Sequence, residues 1–92
     1  MIASFADAET EKVFHALPAR RLPPDIQRTA RRKMLQLHAV TRLPDLAVPP
    51  GNQLEALPGR RAGQYSIRIN NQWRICFRWD NGAHEVEILD CH

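Results

Sequence analysis

The sequence predicts an α+β fold in which two N-terminal helices pack on one face of a twisted antiparallel β-sheet. In the first half of the chain, apolar residues recur every three or four positions, which is typical of amphipathic helices. In the second half, apolar and polar residues alternate, which indicates strands. The 92 residues can form one small hydrophobic core, so we expect a single domain over residues 1–92.

The first half predicts a short strand over residues 1–5, followed by two helices. Asp7 is suited to cap the first helix, which should end near Leu17, just before a proline. The second helix should begin at Pro24, since proline is favoured in the first turn, and end near Thr41. Its apolar stripe consists of Ile26, Ala30, Met34 and Leu37.

The second half predicts four strands after a loop over residues 43–52, which has room for one helical turn. The strands are expected over residues 53–57, 64–70, 73–79 and 83–90. The letters "DNG" between the last two strands predict a tight hairpin turn, because Asn and Gly tolerate the positive φ that such turns require.

Alternation along the two central strands predicts one apolar face and one basic face. The apolar face would carry aromatic and branched residues, and the opposite face would carry Ser66, Arg68, Arg74 and Arg78. Arg68 and Arg74 could hold a phosphate from two directions, and a fixed guanidinium stabilises the charge that builds up on an attacked phosphate. The alternative at this point is that these arginines are solvated or pair with Glu85 or Glu87.

Two further segments contain candidate site residues. The loop "PGRRAG" places Arg60 and Arg61 between glycines, which let a backbone approach phosphate closely, although the local pattern favours a solvated turn. At the C-terminus, Asp90 could orient His92 for proton transfer, unless the end of the chain is frayed. Alternation puts both side chains on the apolar face, so a bend near Leu89 would be needed to bring them to the arginines.

Composition narrows the classes of function. The net charge of +3 comes mostly from arginines and favours an anionic partner, and the basic segment over residues 20–33 could contact nucleic acid or simply be a solvated helix face. Neither the two cysteines nor the four histidines have the spacing of a metal site, so we expect no metal and no cofactor. The sequence has no signal peptide and no membrane-length apolar stretch, so we expect a cytoplasmic protein with reduced cysteines.

The stretch "SIRINNQWRICF", together with the C-terminal Asp-x-His, resembles the HigB toxins of bacterial toxin–antitoxin modules, and the GraT branch is most similar. The resemblance covers nearly the whole chain. It implies a RelE-like microdomain of the RelE/ParE superfamily and a toxin that cleaves mRNA in the ribosomal A site, which inhibits translation and growth. The implied partners are the 70S ribosome with its mRNA and a HigA-type helix-turn-helix antitoxin, through which alone the toxin would reach operator DNA.

The resemblance also implies roles for individual residues. Arg74 matches the strand arginine that contacts the scissile phosphate in this family, and Arg61 matches a loop position that binds backbone phosphate. Asp90 and His92 match the family's C-terminal pair, with Asp90 orienting the histidine. The remaining arginines of the basic face and loop are expected to bind RNA, and they are Arg60, Arg68 and Arg78.

Three departures from the family pattern predict a mild or slow metal-independent ribonuclease. Cys91 replaces the usual tyrosine, Glu55 stands where better-studied HigB toxins have histidine, and Pro58 stands where they have lysine. Glu55 could serve as the general base, although a carboxylate is less suited to neutral pH. The same departures motivate an alternative, a protein that binds the ribosome or RNA without cutting. A ParE-like gyrase poison is a further alternative, which the Asp-x-His ending disfavours.

Overall fold

The computed structural model describes residues 1–90, which contain two helices packed on one face of a four-stranded antiparallel sheet. The strands follow one another across the sheet in sequence order. The predicted α+β architecture is therefore confirmed. The elements are α1 (Ala8–Phe14), α2 (Pro24–Ala39), β1 (Glu55–Ala56), β2 (Gln64–Arg68), β3 (Trp73–Trp79) and β4 (Ala83–Asp90).

Helix α1 begins where the sequence predicts and ends earlier. The Asp7 carboxylate caps it by accepting a hydrogen bond from the Thr10 amide at 2.7 Å. The helix was expected to reach Leu17, but it stops at Phe14 because Ala16 adopts φ +58°. The amide of Leu17 then donates back to the Lys12 carbonyl at 2.8 Å, which is the bond that closes a Schellman motif.

Helix α2 supplies most of the helical contribution to the core. Its predicted apolar stripe is buried, and it ends at Ala39 rather than Thr41, since Val40 is extended with ψ 145°. Among residues 1–90, no helix is long and apolar enough to cross a membrane. The buried apolar residues that form the hydrophobic core cluster are Val13, Ala19, Ile26, Ala30, Met34, Leu37, Leu46, Ile67, Ile69, Ile75, Phe77, Ala83, Val86 and Ile88.

The N-terminal segment closes the free edge of β4 without forming the expected strand. It makes two isolated parallel bridges, Ile2 with Ala83 and Phe5 with Val86. Beyond the second bridge, the Ile88 amide donates to the Thr10 hydroxyl oxygen of α1 at 3.0 Å. The edge of β4 is thus covered by the backbone of the N-terminal segment and, further along, by the buried side chain of Thr10. This cover leaves few exposed donors that could pair with the strand of another molecule.

Two of the predicted strands are shorter than the alternation suggested. β1 comprises two residues rather than five, because Gln53 just before it has a left-handed backbone with φ 47°. β2 ends at Arg68, because the chain turns after it. The Asn70 side chain stabilises this turn by accepting hydrogen bonds from the amides of Gln72 and Trp73, both at 2.8 Å. The "DNG" turn is confirmed, with positive φ at its Asn and Gly.

One irregularity interrupts the pairing of β3 with β4. The register shifts between Cys76 and Arg78, and Glu85 on the opposite strand has φ +53°. On the other side of this bulge the pairing is regular and places Arg74 opposite Leu89. Up to Asp90, the last described residue, the pairing therefore shows no bend near Leu89 of the kind that the sequence reasoning required.

Candidate functional site

Arg74 is held on the outer face of the sheet, which points away from the helices. Its Nε donates to the Ser66 hydroxyl at 2.7 Å, and its Nη2 donates to the Gln53 carbonyl at 2.7 Å. The same Nη2 lies 3.8 Å from a carboxylate oxygen of Glu55. Only 15% of the side chain is exposed, so the guanidinium is fixed by three elements before any ligand arrives. Such a preordered donor can stabilise negative charge on a phosphate without first having to be oriented.

The loop before β1 positions one of these contacts through its backbone. Gln53 has φ 47° and ψ 58°, and this left-handed conformation directs its carbonyl oxygen to Arg74. The preceding residue, Asn52, is buried and donates to the Leu46 carbonyl and to the Gln36 side chain of α2, both at 3.0 Å. The carbonyl of Gln53 was not identified from the sequence, because nothing about a glutamine signals a positive φ.

The structure brings together Glu55 and Arg74, two of the residues that were assigned catalytic roles from the resemblance. Glu55 pairs with Ser66 across β1 and β2, and its carboxylate projects beside the guanidinium. With 59% of its side chain exposed, Glu55 is accessible to a ligand that lies on the sheet. A carboxylate in this place can accept a proton or form an ion pair with Arg74.

The outer arginines at the other end of the sheet have acidic partners. Arg61 donates to the Gln64 side chain at 3.0 Å and to Glu87 at 3.5 Å, and Arg78 pairs with Glu85 at 2.8 Å. The sequence alternative in which Arg68 or Arg74 pairs with Glu85 or Glu87 is therefore wrong, because these glutamates pair with Arg78 and Arg61 instead. Solvent-exposed ion pairs contribute little free energy, so a phosphate could replace these carboxylates.

Arg68 lies directly opposite Arg74 in the pairing of β2 with β3. Its guanidinium donates to the side chain of Asn71 in the following turn. Arg60 lies in the 3₁₀ turn Gly59–Arg61 and is exposed, and no hydrogen bond or ion pair joins it to the other residues between positions 1 and 90. The expected juxtaposition of two arginines on neighbouring strands is confirmed, whereas phosphate binding by them stays a prediction.

A buried lysine that the sequence reasoning did not identify lies behind these arginines. Lys33 of α2 is 8% exposed, and its Nζ donates a hydrogen bond to the Arg68 carbonyl at 2.5 Å. Arg68 is at the end of β2 that β1 does not pair with. Burial lowers the pKa of Lys33, and the charges of Arg32, Arg68 and Arg74 lower it further. Its position in the sequence could have indicated that it is buried, since Lys33 falls on the apolar stripe of α2.

The C-terminal pair is only partly within the described residues. Asp90 pairs with Trp73, and its carboxylate accepts a hydrogen bond from the Gln72 side chain at 2.9 Å. Because Trp73 and Arg74 are consecutive on β3, Asp90 lies on the opposite face from Arg74, as alternation predicted. His92 and Cys91 lie outside the described residues.

The basic face combines guanidinium groups with nearby carboxylates. In the part of the chain from position 1 to 90, no three His, Cys, Asp or Glu side chains are grouped to hold a metal ion. What the described residues do provide is one preordered guanidinium, an adjacent accessible carboxylate, and further arginines at the distance of neighbouring strands. This combination suits a reaction at a phosphodiester, where negative charge grows on phosphate oxygens and protons must move.

The chain is similar in sequence to known proteins of one toxin family. A family described as the RelE-like toxin of the type II toxin–antitoxin system HigB matches residues 3–92. Toxin HigB-1 of Vibrio cholerae is 37% identical over 93 residues, an alignment that covers 100% of this chain and 98% of that protein. An uncharacterized protein of Haemophilus influenzae is 32% identical over 72 residues, which cover 78% of this chain and 71% of that protein.

Proposed function

Because the chain belongs to the HigB family of RelE-like toxins from type II toxin–antitoxin systems, we propose that it is a ribosome-dependent endoribonuclease. The substrate is mRNA in the ribosomal A site. The ribose 2′-OH attacks the adjacent phosphate, a bond forms from that oxygen to phosphorus, and the bond to the 5′-oxygen breaks. The products are a 2′,3′-cyclic phosphate and a 5′-hydroxyl, so only RNA can react.

The contacts of Arg74 carry the proposal. The guanidinium is held by Ser66 and Gln53 and is largely shielded from solvent, so it contributes little to solubility. It is instead suited to stabilise the negative charge of a dianionic phosphorane. Its neighbour Glu55 could remove the proton from the 2′-OH, since both groups would face the same phosphate.

The remaining site residues are assigned to binding and to protonation of the leaving group. Arg68, whose strand position faces Arg74, would bind the flanking backbone, and the others assigned to this role are Arg60, Arg61 and Arg78. His92 would protonate the departing 5′-oxygen, with Asp90 orienting it. A general acid–base pair typically supplies about 10²–10⁴-fold in rate, and Glu55 is less matched to neutral pH than histidine, so we expect slow cleavage.

The family assignment implies an antitoxin, and we propose that it is a HigA-type helix-turn-helix protein. In this arrangement the toxin reaches operator DNA only through that partner. The site of action would be the cytoplasm, where translating ribosomes and mRNA are found together.

The test is primer extension on a translated message with purified toxin and ribosomes. We expect breaks within A-site codons for the wild type and none when ribosomes are omitted. Arg74→Ala should reduce the cleavage rate by about 10²–10³-fold, which is the loss expected for one preordered oxyanion donor. Arg42→Ala, which removes an exposed arginine outside the sheet, is the matched control and should cleave normally.

A second candidate is a toxin that binds the ribosome without cutting. It is favoured by the carboxylates of Glu55, Glu85 and Glu87, which form ion pairs with arginines of the basic face and would compete with a phosphate for them. Translation that stops without any break in the message, and equally with Arg74→Ala, would establish this candidate and exclude the nuclease.

A further inference from the structure

Two adjoining grooves run along the outer side of the helices, on the opposite side of the molecule from the basic sheet face. They have volumes of about 370 and 470 Å³ and share Arg28 and Arg31. The first lies where α2 meets the end of α1, and the second lies further along α2. Besides the two shared arginines, the lining includes Leu17, Arg32 and Leu35.

The positive charge of these grooves is not compensated within the described chain. Their lining contains three arginines and no carboxylate, and Arg28, Arg31 and Arg32 form no ion pair with any residue from 1 to 90. Arg31 is nevertheless fixed, since its Nε donates to the Phe14 carbonyl at 3.1 Å. On the sheet face, by contrast, three of the arginines have a glutamate partner.

Apolar side chains accompany this charge. Leu17 and Leu35 are 54% and 41% exposed and lie at the two ends of the joined grooves. The lining has no aromatic ring on which a base could stack, which disfavours single-stranded RNA as the ligand. Leucines flanked by arginines instead fit a peptide that combines carboxylates with apolar side chains.

We propose that these joined grooves, here called the helix-side groove, bind an acidic amphipathic segment of the chain's own antitoxin. Arg28 and Arg32 would pair with its carboxylates, and Leu17 and Leu35 would pack against its apolar side chains. The proposal rests on the membership in a type II toxin family and is independent of the nuclease mechanism.

The test is the affinity of the purified full chain for that antitoxin, measured by titration calorimetry. Arg28→Glu with Arg32→Glu reverses two exposed charges of the helix-side groove, and we expect at least a 30-fold loss of affinity, as for disrupted interfacial charge pairs. The control, Arg20→Glu with Arg42→Glu, changes the net charge equally at exposed positions outside the groove and should bind within about threefold of the wild type. Leu35→Ser alone should also weaken binding.

Circular dichroism would establish that the variants are folded, which the exposure of the changed positions leads us to expect. Unchanged affinity in the groove variant would overturn the proposal. Equal losses in both double variants would also overturn it, because they would indicate a non-specific effect of charge. A groove variant that keeps the antitoxin but loses affinity for poly(U) RNA would identify an RNA-binding surface instead. None of these outcomes depends on cleavage, so failure of the nuclease assay would leave this test intact.

Discussion

The left-handed backbone at Gln53 offers a direct test of how Arg74 is positioned. Only the carbonyl of Gln53 contacts Arg74, so its side chain should be dispensable, whereas its φ of 47° should not. We therefore compare Gln53→Gly, which adopts positive φ readily, with Gln53→Val, whose branched Cβ opposes it. Gln53 is exposed, so neither change removes packing from the core.

The expected magnitude follows from the backbone. A left-handed conformation costs an L-residue about 1–2 kcal/mol, which glycine avoids, although glycine loses roughly 0.5–1 kcal/mol through its greater freedom when unfolded. Gln53→Gly should thus be about 0–1.5 kcal/mol more stable than the wild type. Gln53→Val should be less stable than the wild type, because a branched Cβ opposes positive φ more strongly than the side chain of glutamine does. For a chain of this size, 1 kcal/mol corresponds to a change in Tm of about 4–8 °C.

Calorimetric unfolding and the A-site cleavage assay would be run on both variants. We expect Gln53→Gly to cleave like the wild type. If Gln53→Val relieves its strain by rotating the loop, Arg74 loses a charge-assisted hydrogen bond, and cleavage should fall by roughly tenfold or more. Equal stability and equal cleavage for the two variants would refute the argument that the carbonyl position matters.

Two further predictions concern buried polar groups. Thr10→Val should lower the free energy of unfolding by about 1–3 kcal/mol, because the Ile88 amide loses its acceptor, and Thr10→Ser should retain most of it. The pKa of Lys33 is lowered in the folded protein, so through the alkaline range the unfolded chain holds more protons. Wild type should therefore gain stability relative to Lys33→Met as pH rises towards 10.5, the ordinary pKa of a lysine.

Both effects are measured by denaturant unfolding, and each has a defined contrary result. Equal losses for Thr10→Val and Thr10→Ser would mean that the methyl group and not the hydroxyl matters. For Lys33, the difference in the free energy of unfolding between the wild type and Lys33→Met is compared at neutral and at alkaline pH, because the lowered pKa leaves the unfolded chain with more bound protons below pH 10.5. A difference that stays constant up to pH 10.5 would show that burial does not perturb this lysine.

The periodicity of the sequence was sufficient to predict the two helices, the four antiparallel strands and the two faces of the sheet. It was not sufficient for their ends, since these depend on single backbone angles. Ala16 ends α1 with a positive φ, a conformation that glycine adopts most often. Glu85 also has a positive φ, at the bulge within β4. Neither residue type signals such a conformation, so tertiary contacts must select it.

The same division applies to the site. Alternation placed Arg68 and Arg74 on one face and Asp90 on the other, since the side-chain period of a strand is set by the backbone. The Gln53 carbonyl and Lys33 reach the site only because a loop and α2 pack against β2 and β3. Contacts of this kind join distant parts of the chain and have no local signature in the sequence.

The pairing of the N-terminal segment with β4 has a consequence for biosynthesis. Ser4 and Glu85, which share a hydrogen bond, are 81 positions apart, and contacts of such separation form late in folding. Arg74 lies on β3, which needs β4 to complete its own pairing. A nascent chain lacks both contacts until its last strand has emerged from the exit tunnel. The sheet that carries Arg74 is therefore completed only after β4 has been synthesised.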